Sequence, residues 1–392
     1  RWERETLSDL GARFDDRLGR LHAHLRYRLR SHDDGLVGRH SARCTEQTPN
    51  YETTQHLDHP LTHCSGLPDA SCPRHRYAIG ELSSTSTRIQ GHTMTRWKPS
   101  DIPDLTGQRV IVTGANCGLG LETARELARA KAHVVLACRS VDRANTAIAD
   151  IRAGLPEASL EFAPLDLASF ASVASFVTTM QSNGTPIDRL INNAGVMGPP
   201  FSTTEEGYEL QFGVNHLGHF ALTAGLLPML LKAEQPRVVN VASIAHRRGR
   251  LRLDNVRGEG RYSRWGMYAQ SKLANLLFTF ELDRKIKAAG SHLLSVAAHP
   301  GVSQTELPRH NVLIRLVSPL GTQSSARGAE PTLRAATALD VVSGEYYGPA
   351  GLNEYWGHAV RTAARPHAHD LASAKSLWDL SERATGVGFN FS

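Results

Sequence analysis

The sequence has no uninterrupted apolar run of the length that a membrane-spanning helix requires. Such a helix needs about 18 or more consecutive apolar residues, so no transmembrane segment is predicted. The N-terminus also lacks the basic and then apolar pattern of a signal peptide. Five cysteines in 392 residues, without a repeated spacing, argue against a disulfide framework and favour a reducing compartment. We therefore expect a cytoplasmic protein.

Charge of one sign is not strongly dominant, because 44 basic residues face 38 acidic ones and leave a net charge of +6. No nucleic-acid-binding motif accompanies this mildly basic balance, so no nucleic-acid partner is expected. The usual spacings of zinc ligands are also absent. We predict no metal site.

Apolar residues are scarce at the start of the chain. They number 27 in residues 1–93, against 134 in the following 299. A segment of this composition buries too little surface to offset the entropy lost on ordering. We predict a low-order, dispensable extension over 1–93 and a folded domain over 94–392. A leucine-rich helical pattern from Leu7 to Leu25 leaves open an arm that contacts a membrane or a partner.

A glycine-rich turn, "TGANCGLG" at 113–120, separates an apolar strand from an amphipathic helix. Glycines allow the backbone to approach a pyrophosphate, and the following helix N-terminus offers free N–H groups to its oxygens. This context favours a dinucleotide site over an ordinary tight turn. The candidate cofactor-binding residues of the turn are Gly114, Asn116, Gly118, Leu119 and Gly120.

The second strand, "AHVVLACRS", ends at Arg139 and Ser140 where an acidic residue would bind the ribose of NAD. A guanidinium is suited to the 2′-phosphate of NADP, because it can donate two parallel hydrogen bonds. Arg139 therefore favours NADP(H). The alternative is a solvated arginine at the end of a strand.

Strands and helices alternate through the rest of the domain. Further apolar strands are predicted at 161–165, 188–192, 237–242 and 293–298, separated by helices near 169–182, 207–232 and 267–289. This alternation predicts an α/β fold with a doubly wound parallel sheet, whose ligands bind at the carboxyl ends of the strands. Those ends carry Gly114, Arg139, Asp166, Asn193, Ser243 and Pro300.

Tyr268 and Lys272 occupy positions i and i+4 of one predicted helix, in "MYAQSK" at 267–272. The two side chains then share a face, and an ammonium beside a phenol is expected to lower the phenol pKa. Tyr268 would become a usable acid or base near neutral pH. The spacing alone is common by chance.

Taken in order, the motifs resemble the short-chain dehydrogenase/reductase family. They are "TGANCGLG", "ACRS", "DL" (166–167), "NNAG" (192–195), "VNHLGHF" (214–220), Ser243, "YAQSK" and "HPG" (299–301). Within the family, "YAQSKLANLLFTFEL" is most similar to the branch of retinol dehydrogenases and protochlorophyllide reductases. The resemblance implies a Rossmann fold, a nicotinamide dinucleotide cofactor and catalytic roles for Asn215, Ser243, Tyr268 and Lys272.

The implied chemistry is hydride transfer between nicotinamide and a carbonyl carbon. Ser243 would donate a hydrogen bond to the carbonyl oxygen and Tyr268 would supply its proton. Lys272 would hold the nicotinamide ribose, and Asn215 would bind a water, although it can also be a structural residue at a helix kink. Further cofactor contacts carried over from the family are Asp166 and Leu167 at the adenine, Asn193, Ala194 and Gly195 along the ribose path, Pro300, Gly301 and Val302 at the nicotinamide, and Thr305 near its amide or phosphate.

The substrate is less clear from the sequence. An apolar stripe at 312–320 lies in the segment that covers the substrate in this family, which favours an apolar carbonyl or alcohol. The same stripe fits a core helix or the interface of a homo-oligomer. Seven arginines in 244–266 could attract an anion, or form a solvated loop.

We therefore predict an NADP(H)-dependent oxidoreductase. The alternatives are a catalytically silent NADP(H)-binding sensor or scaffold, and a nucleotide-sugar epimerase.

Overall fold

The computed structural model describes residues 96–260, 262–303 and 323–391. In this part of the chain, eight strands form one sheet in the order β3-β2-β1-β4-β5-β6-β7-β8. The strands are β1 (Arg109–Thr113), β2 (His133–Cys138), β3 (Leu160–Pro164), β4 (Arg189–Asn192), β5 (Arg237–Val241), β6 (Leu294–Ala298), β7 (Tyr346–Pro349) and β8 (Ala359–Thr362). Neighbours from β3 to β7 pair in parallel, and β8 pairs with β7 in the antiparallel direction.

The longer helices are α1 (Gly118–Arg129), α2 (Val141–Gly154), α3 (Phe170–Ser182), α4 (Gly218–Leu230), α5 (Arg264–Ala288), α6 (Ser325–Thr337) and α7 (Leu371–Thr385). Several begin where a side-chain oxygen accepts a backbone N–H of the first turn, which satisfies one of the donors that a helix start leaves unpaired. The capping residues are Ser140, Ser169, Ser263, Ser324 and Asp370.

The strands alternate their side chains between the two faces of the sheet, and both faces are covered by apolar residues. Val110 and Val112 belong to the core that α1, α2 and α6 cover, whereas Ile111 belongs to the core that α3, α4 and α5 cover. Successive strand residues point to opposite faces, and both faces are covered, so β1 is apolar at each of these positions. The result is a three-layer, Rossmann-like α/β fold.

The predicted doubly wound parallel sheet is confirmed. Two features differ from the sequence prediction. The helix predicted near 207–232 is divided into a short helix (Leu210–Phe212), a π-helical segment (Gly213–Leu217) and α4. The strands β7 and β8 were not predicted, because each has only four residues and β7 also contains a glycine and a proline.

The strand order reverses between β1 and β4, which leaves a crevice at the carboxyl edge of the sheet. No helix within the described residues is both long and apolar enough to cross a bilayer. The predicted extension at 1–93 and the apolar stripe at 312–320 lie outside the described residues.

Candidate active site

A cavity of about 680 Å³ opens at the carboxyl edge of the sheet. It brings together nearly all the residues that the sequence predicts for cofactor binding and catalysis. Those in its lining are Gly114, Asn116, Gly118, Leu119, Gly120, Arg139, Asp166, Leu167, Asn193, Ala194, Gly195, Ser243, Tyr268, Lys272, Pro300, Gly301 and Val302. Asn215 is fully buried and does not line the cavity, and Thr305 lies outside the described residues.

The glycine turn forms one wall of the cavity. Gly114 and Gly118 have φ values of +66° and +55°, which glycine adopts without strain. The side chain of Cys117, the N-cap residue of α1, makes no capping hydrogen bond, so an anion could accept backbone N–H groups of the first turn. Gly120 serves a different purpose, because an added Cβ would lie 2.3 Å from the Gly114 carbonyl oxygen. Its lack of a side chain allows α1 to pack directly on the turn.

Thr113 and Asn193 join the ends of β1 and β4. The Thr113 hydroxyl accepts the N–H groups of Asn193 and Ala194, each at 2.9 Å. The Asn193 amide returns a hydrogen bond of 2.8 Å to the Thr113 carbonyl oxygen. The Asn193 side chain therefore joins β1 to β4 at the floor of the crevice.

The end of the cavity that is predicted to hold the adenosine carries two guanidinium groups. Arg139 is largely exposed, and its Nη1 lies 3.7 Å from an oxygen of Asp166. Arg143, in the first turn of α2, also lines the cavity and was not singled out from the sequence. Ser140 caps α2 by accepting the Arg143 N–H at 3.4 Å. The spacing of Ser140 and Arg143 by one helical turn is the signal that could have identified the second arginine.

Tyr268 and Ser243 meet at the centre of the site. Ser243 follows β5 and begins a short 3-10 helix, where its Oγ accepts the Ala245 N–H at 3.1 Å. Burial raises the pKa of the Tyr268 phenol, and a hydrogen bond with the Ser243 hydroxyl acts in the opposite direction. Because the pKa is raised overall, the phenol is protonated at neutral pH and can donate a proton.

Lys272 lies one turn after Tyr268 and is only 4% exposed. Its Nζ donates to the Val241 carbonyl oxygen at 2.8 Å and lies 6.0 Å from the centre of the Tyr268 ring. Burial lowers the pKa of Lys272 to about 8. The expectation that Lys272 lowers the pKa of Tyr268 is wrong for this structure, since burial of the phenol outweighs other effects.

Asn215 lies in the π-helical segment next to Lys272 and Gly195. Its Oδ1 accepts the Val196 N–H at 2.8 Å, and its Nδ2 donates to the Val196 carbonyl oxygen and to the Ser271 hydroxyl. Both amide protons are used, so the side chain ties the segment after β4 to α5. The water-binding role of Asn215 stays a prediction.

Five apolar residues line the same cavity as Ser243, Tyr268 and Lys272 and were missed from the sequence; they are called the apolar wall. Its residues come from four separate segments, so no regular spacing along the sequence predicts that they lie together. They are Val196, Met197, Leu210, Val214 and Ile244. Trp265 stands nearby in the first turn of α5, with its ring edge-on to Tyr268 at a centroid distance of 6.5 Å.

A doubly wound sheet, a glycine-lined crevice and a serine–tyrosine–lysine cluster at one edge define a dinucleotide-dependent oxidoreductase of the Rossmann-like class. A family model for short chain dehydrogenase matches residues 108–313. The chain therefore belongs to the short-chain dehydrogenase family. Members of this family use NAD(P)(H).

Similar proteins extend the comparison. Retinol dehydrogenase 12 from Homo sapiens is 39% identical over 289 residues, which cover 72% of this chain and 88% of that protein. Retinol dehydrogenase 13 from the same organism is 37% identical and covers 79% of this chain and 94% of its own length. A solved structure of an uncharacterised protein from Mycobacterium paratuberculosis is 40% identical, with a TM-score of 0.64 over 76% of this chain and 100% of that one.

Proposed function

We propose that this protein is an NADP(H)-dependent oxidoreductase that interconverts an apolar carbonyl compound and its alcohol. The observation that carries the proposal is the Ser243–Tyr268–Lys272 cluster, which lines the same cavity as the glycine turn. The cavity fits a dinucleotide, because an uncapped helix start, glycines without side chains and two guanidinium groups lie along it. When bound, the nicotinamide supplies the hydride.

The side chains of this chain supply the remaining chemistry. A protonated Tyr268 phenol donates its proton to the carbonyl oxygen as negative charge develops there. The Ser243 hydroxyl can donate a hydrogen bond to the same oxygen. Lys272 keeps donor protons beyond the one given to Val241, and these are available to a ribose hydroxyl. The raised pKa of Tyr268 keeps the phenol protonated at neutral pH, which is the state that can act as the acid in carbonyl reduction.

A preference for NADP(H), which carries a 2′-phosphate, is supported by the charged residues at the predicted adenosine end of the cavity. Arg139 and Arg143 both line the cavity there, and a phosphate dianion between them would gain charge-assisted hydrogen bonds. Asp166 opposes this preference, because one of its carboxylate oxygens lies 3.7 Å from Arg139 and would repel a phosphate. We expect the second arginine to compensate, which makes NADPH the preferred cofactor.

The apolar wall beside Tyr268 supports an apolar substrate. The retinol dehydrogenases to which the chain is similar carry an apolar alcohol in their name, so conjugated aldehydes such as retinal belong in the first substrate set. The proposal is tested by following NADPH oxidation with aldehydes, ketones and quinones. Tyr268→Phe serves as the control for non-enzymatic reduction. NADPH binding without turnover of any carbonyl would favour the silent sensor.

The cofactor preference is tested by comparing kcat/KM for NADPH and NADH. Arg139→Ala, Arg143→Ala and the double variant should lower the NADPH/NADH ratio, the double variant most. We expect the NADPH/NADH ratio of kcat/KM to fall about tenfold for each charge-assisted hydrogen bond that is lost. Arg129→Ala, on the exposed end of α1, is the matched control. A ratio unchanged in the double variant would show that these arginines do not read the 2′-phosphate.

A further inference from the structure

The loop that follows β7 contains two consecutive residues in the left-handed region. Asn353 and Glu354 have φ values of +52° and +61°. A left-handed conformation costs a non-glycine residue about 1–2 kcal/mol, and it persists only where surrounding contacts impose it. The contacts that impose it here converge on the Glu354 side chain.

The Glu354 carboxylate contacts side chains from two segments, which follow β5 and β6 respectively. Its Oε1 lies 2.7 Å from a guanidinium nitrogen of Arg247, and its Oε2 lies 2.8 Å from Nε2 of His299. Burial favours a raised pKa for this carboxyl, but the hydrogen bond and charge of His299, a hydrogen bond with the Thr362 side chain and the charge of Arg247 outweigh it. The pKa is lowered overall, so Glu354 is ionised at neutral pH and serves both donors at once.

His299 connects this carboxylate to the predicted nicotinamide loop. The side chain is fully buried, and its Nδ1 accepts the Gly301 N–H at 3.2 Å. Because Nδ1 is an acceptor, the proton of the neutral ring lies on Nε2 and is donated to Glu354. The carboxylate therefore fixes both the tautomer and the orientation of the imidazole that supports the turn at Gly301.

The backbone around Glu354 supports the same turn directly. The Val302 N–H donates to the Tyr355 carbonyl oxygen at 2.8 Å. An added Cβ at Gly301 would lie 2.5 Å from that oxygen and 3.0 Å from the Glu354 carbonyl oxygen. The two loops are thus in close contact, and a change in one must move the other.

Arg247 connects the carboxylate to the catalytic serine. It lies in the short 3-10 helix Ile244–Arg248 that Ser243 caps, and its Nη1 also donates to the Asn353 carbonyl oxygen at 3.1 Å. One carboxylate consequently joins the segment that carries Ser243 to the loop that carries Gly301.

We propose that Glu354, through Arg247 and His299, is a positioning residue that sets the nicotinamide loop relative to Ser243. This inference rests on the proposed function, because it concerns the placement of the nicotinamide end of the cofactor. Arg247, Glu354 and His299 together are called the Glu354 brace. The brace acts on the nicotinamide half of the site and leaves the adenosine half unchanged.

The test compares the full-length parent with Glu354→Gln. Glutamine keeps the shape of the side chain but cannot accept from both partners, because its NH₂ group would face one of two donors. Arg247→Lys is a milder second variant, which keeps the charge and loses the bond to Asn353. Glu281→Gln is the matched control, because Glu281 is a carboxylate of similar burial paired with Arg284 on the same helix as Tyr268 but about 20 Å further along it.

Calorimetry is performed with NADPH and with 2′,5′-ADP, which contains the adenosine half alone. We expect Glu354→Gln to bind NADPH about tenfold more weakly, the effect of losing one hydrogen bond, with less than about twofold change for 2′,5′-ADP. Arg247→Lys should fall between parent and Glu354→Gln. Equal weakening for both ligands, or no weakening for NADPH, would overturn the brace.

Single-turnover measurements at saturating NADPH provide a second readout. The rate constant of hydride transfer should fall up to about a hundredfold in Glu354→Gln, whereas the amplitude, which counts active molecules, should stay near that of the parent. A loss of amplitude with an unchanged rate constant would indicate a merely structural role and overturn the proposal. A parent that binds NADPH but reduces no carbonyl would overturn the proposed function, while the comparison of the two ligands would still decide on the brace.

Discussion

Replacing Lys272 with methionine is expected to stabilise the fold while abolishing turnover. Burial lowers the pKa of Lys272 from 10.5 to about 8. Each pKa unit corresponds to about 1.4 kcal/mol, so keeping this ammonium charged in the folded protein costs about 3 kcal/mol at neutral pH. Methionine has a similar length and no charge to desolvate.

Part of this gain is offset by the loss of the hydrogen bond from Nζ to the Val241 carbonyl oxygen. That oxygen keeps a second donor, the Asn275 side-chain amide at 3.2 Å, so it is not left unpaired. Subtracting about 1 kcal/mol for the lost bond leaves a net stabilisation of about 2 kcal/mol for Lys272→Met at pH 7.

The stabilisation by Lys272→Met must decrease as the pH rises. Between pH 8 and 10.5 the unfolded chain retains a proton on Lys272 that the folded chain releases, so the stability of the parent rises across this window. Methionine does not titrate. The advantage of Lys272→Met is therefore complete below about pH 8 and disappears as the pH approaches 10.5.

Denaturant unfolding of both proteins without cofactor, at pH 7, 8, 9 and 10, measures this difference. Lys375→Met on α7 is the control, because Lys375 is 74% exposed and its ion-pair partner Asp379 is 43% exposed, so this substitution should change stability by less than about 0.5 kcal/mol at every pH. The reasoning fails if Lys272→Met is no more stable than the parent at pH 7, or if its advantage does not shrink above pH 8.

Three further predictions concern other parts of the site. Tyr268→Phe should abolish turnover and leave NADPH affinity nearly intact; activity above about a hundredth of the parent would contradict its role as the acid. Gly120→Ala should lower Tm by several degrees, because its Cβ meets backbone at 2.3 Å. Gly154→Ala, which meets nothing within 4 Å at the end of α2, should raise Tm slightly, and the opposite order would refute the packing argument. Tyr346→Phe should not destabilise the protein, since the buried Tyr346 hydroxyl has no partner among the described residues; a fall of more than about 1 kcal/mol in unfolding free energy would contradict this.

Features that depend on neighbouring residues could be predicted from the sequence. The turn at Gly114 and Gly118 is required by a strand that passes into a helix over a few residues. Tyr268 and Lys272 share a helix face because of their spacing alone. The alternation of strands and helices then determines the edge of the sheet at which these groups meet, so the candidate site could be located before any coordinates.

Features that depend on distant contacts could not be predicted. Arg247 and Asn353 are 106 positions apart, and no local pattern relates them. The direction of the Tyr268 pKa was misjudged for the same reason: the proximity of Lys272 can be read from the spacing, but burial of the phenol depends on the whole fold. The hydrogen bond from the Asn193 side chain to the Thr113 carbonyl oxygen also depends on the pairing of β1 with β4 and has no local signal in the sequence.

Buried cations at the two edges of the sheet show why the carboxyl edge is the reactive one. At the amino edge, Arg189 and Arg237 donate to carbonyl oxygens of Ala336 and Ala338 at the end of α6, where the helix dipole also favours a positive charge. Both guanidinium groups are therefore used in hydrogen bonds within the fold. Lys272 has three donor protons and, among the described residues, one hydrogen-bond acceptor, the Val241 carbonyl oxygen. A buried ammonium with unused donors is costly for stability, and the cost is offset only when a ligand with hydroxyl or phosphate oxygens enters the cavity beside it.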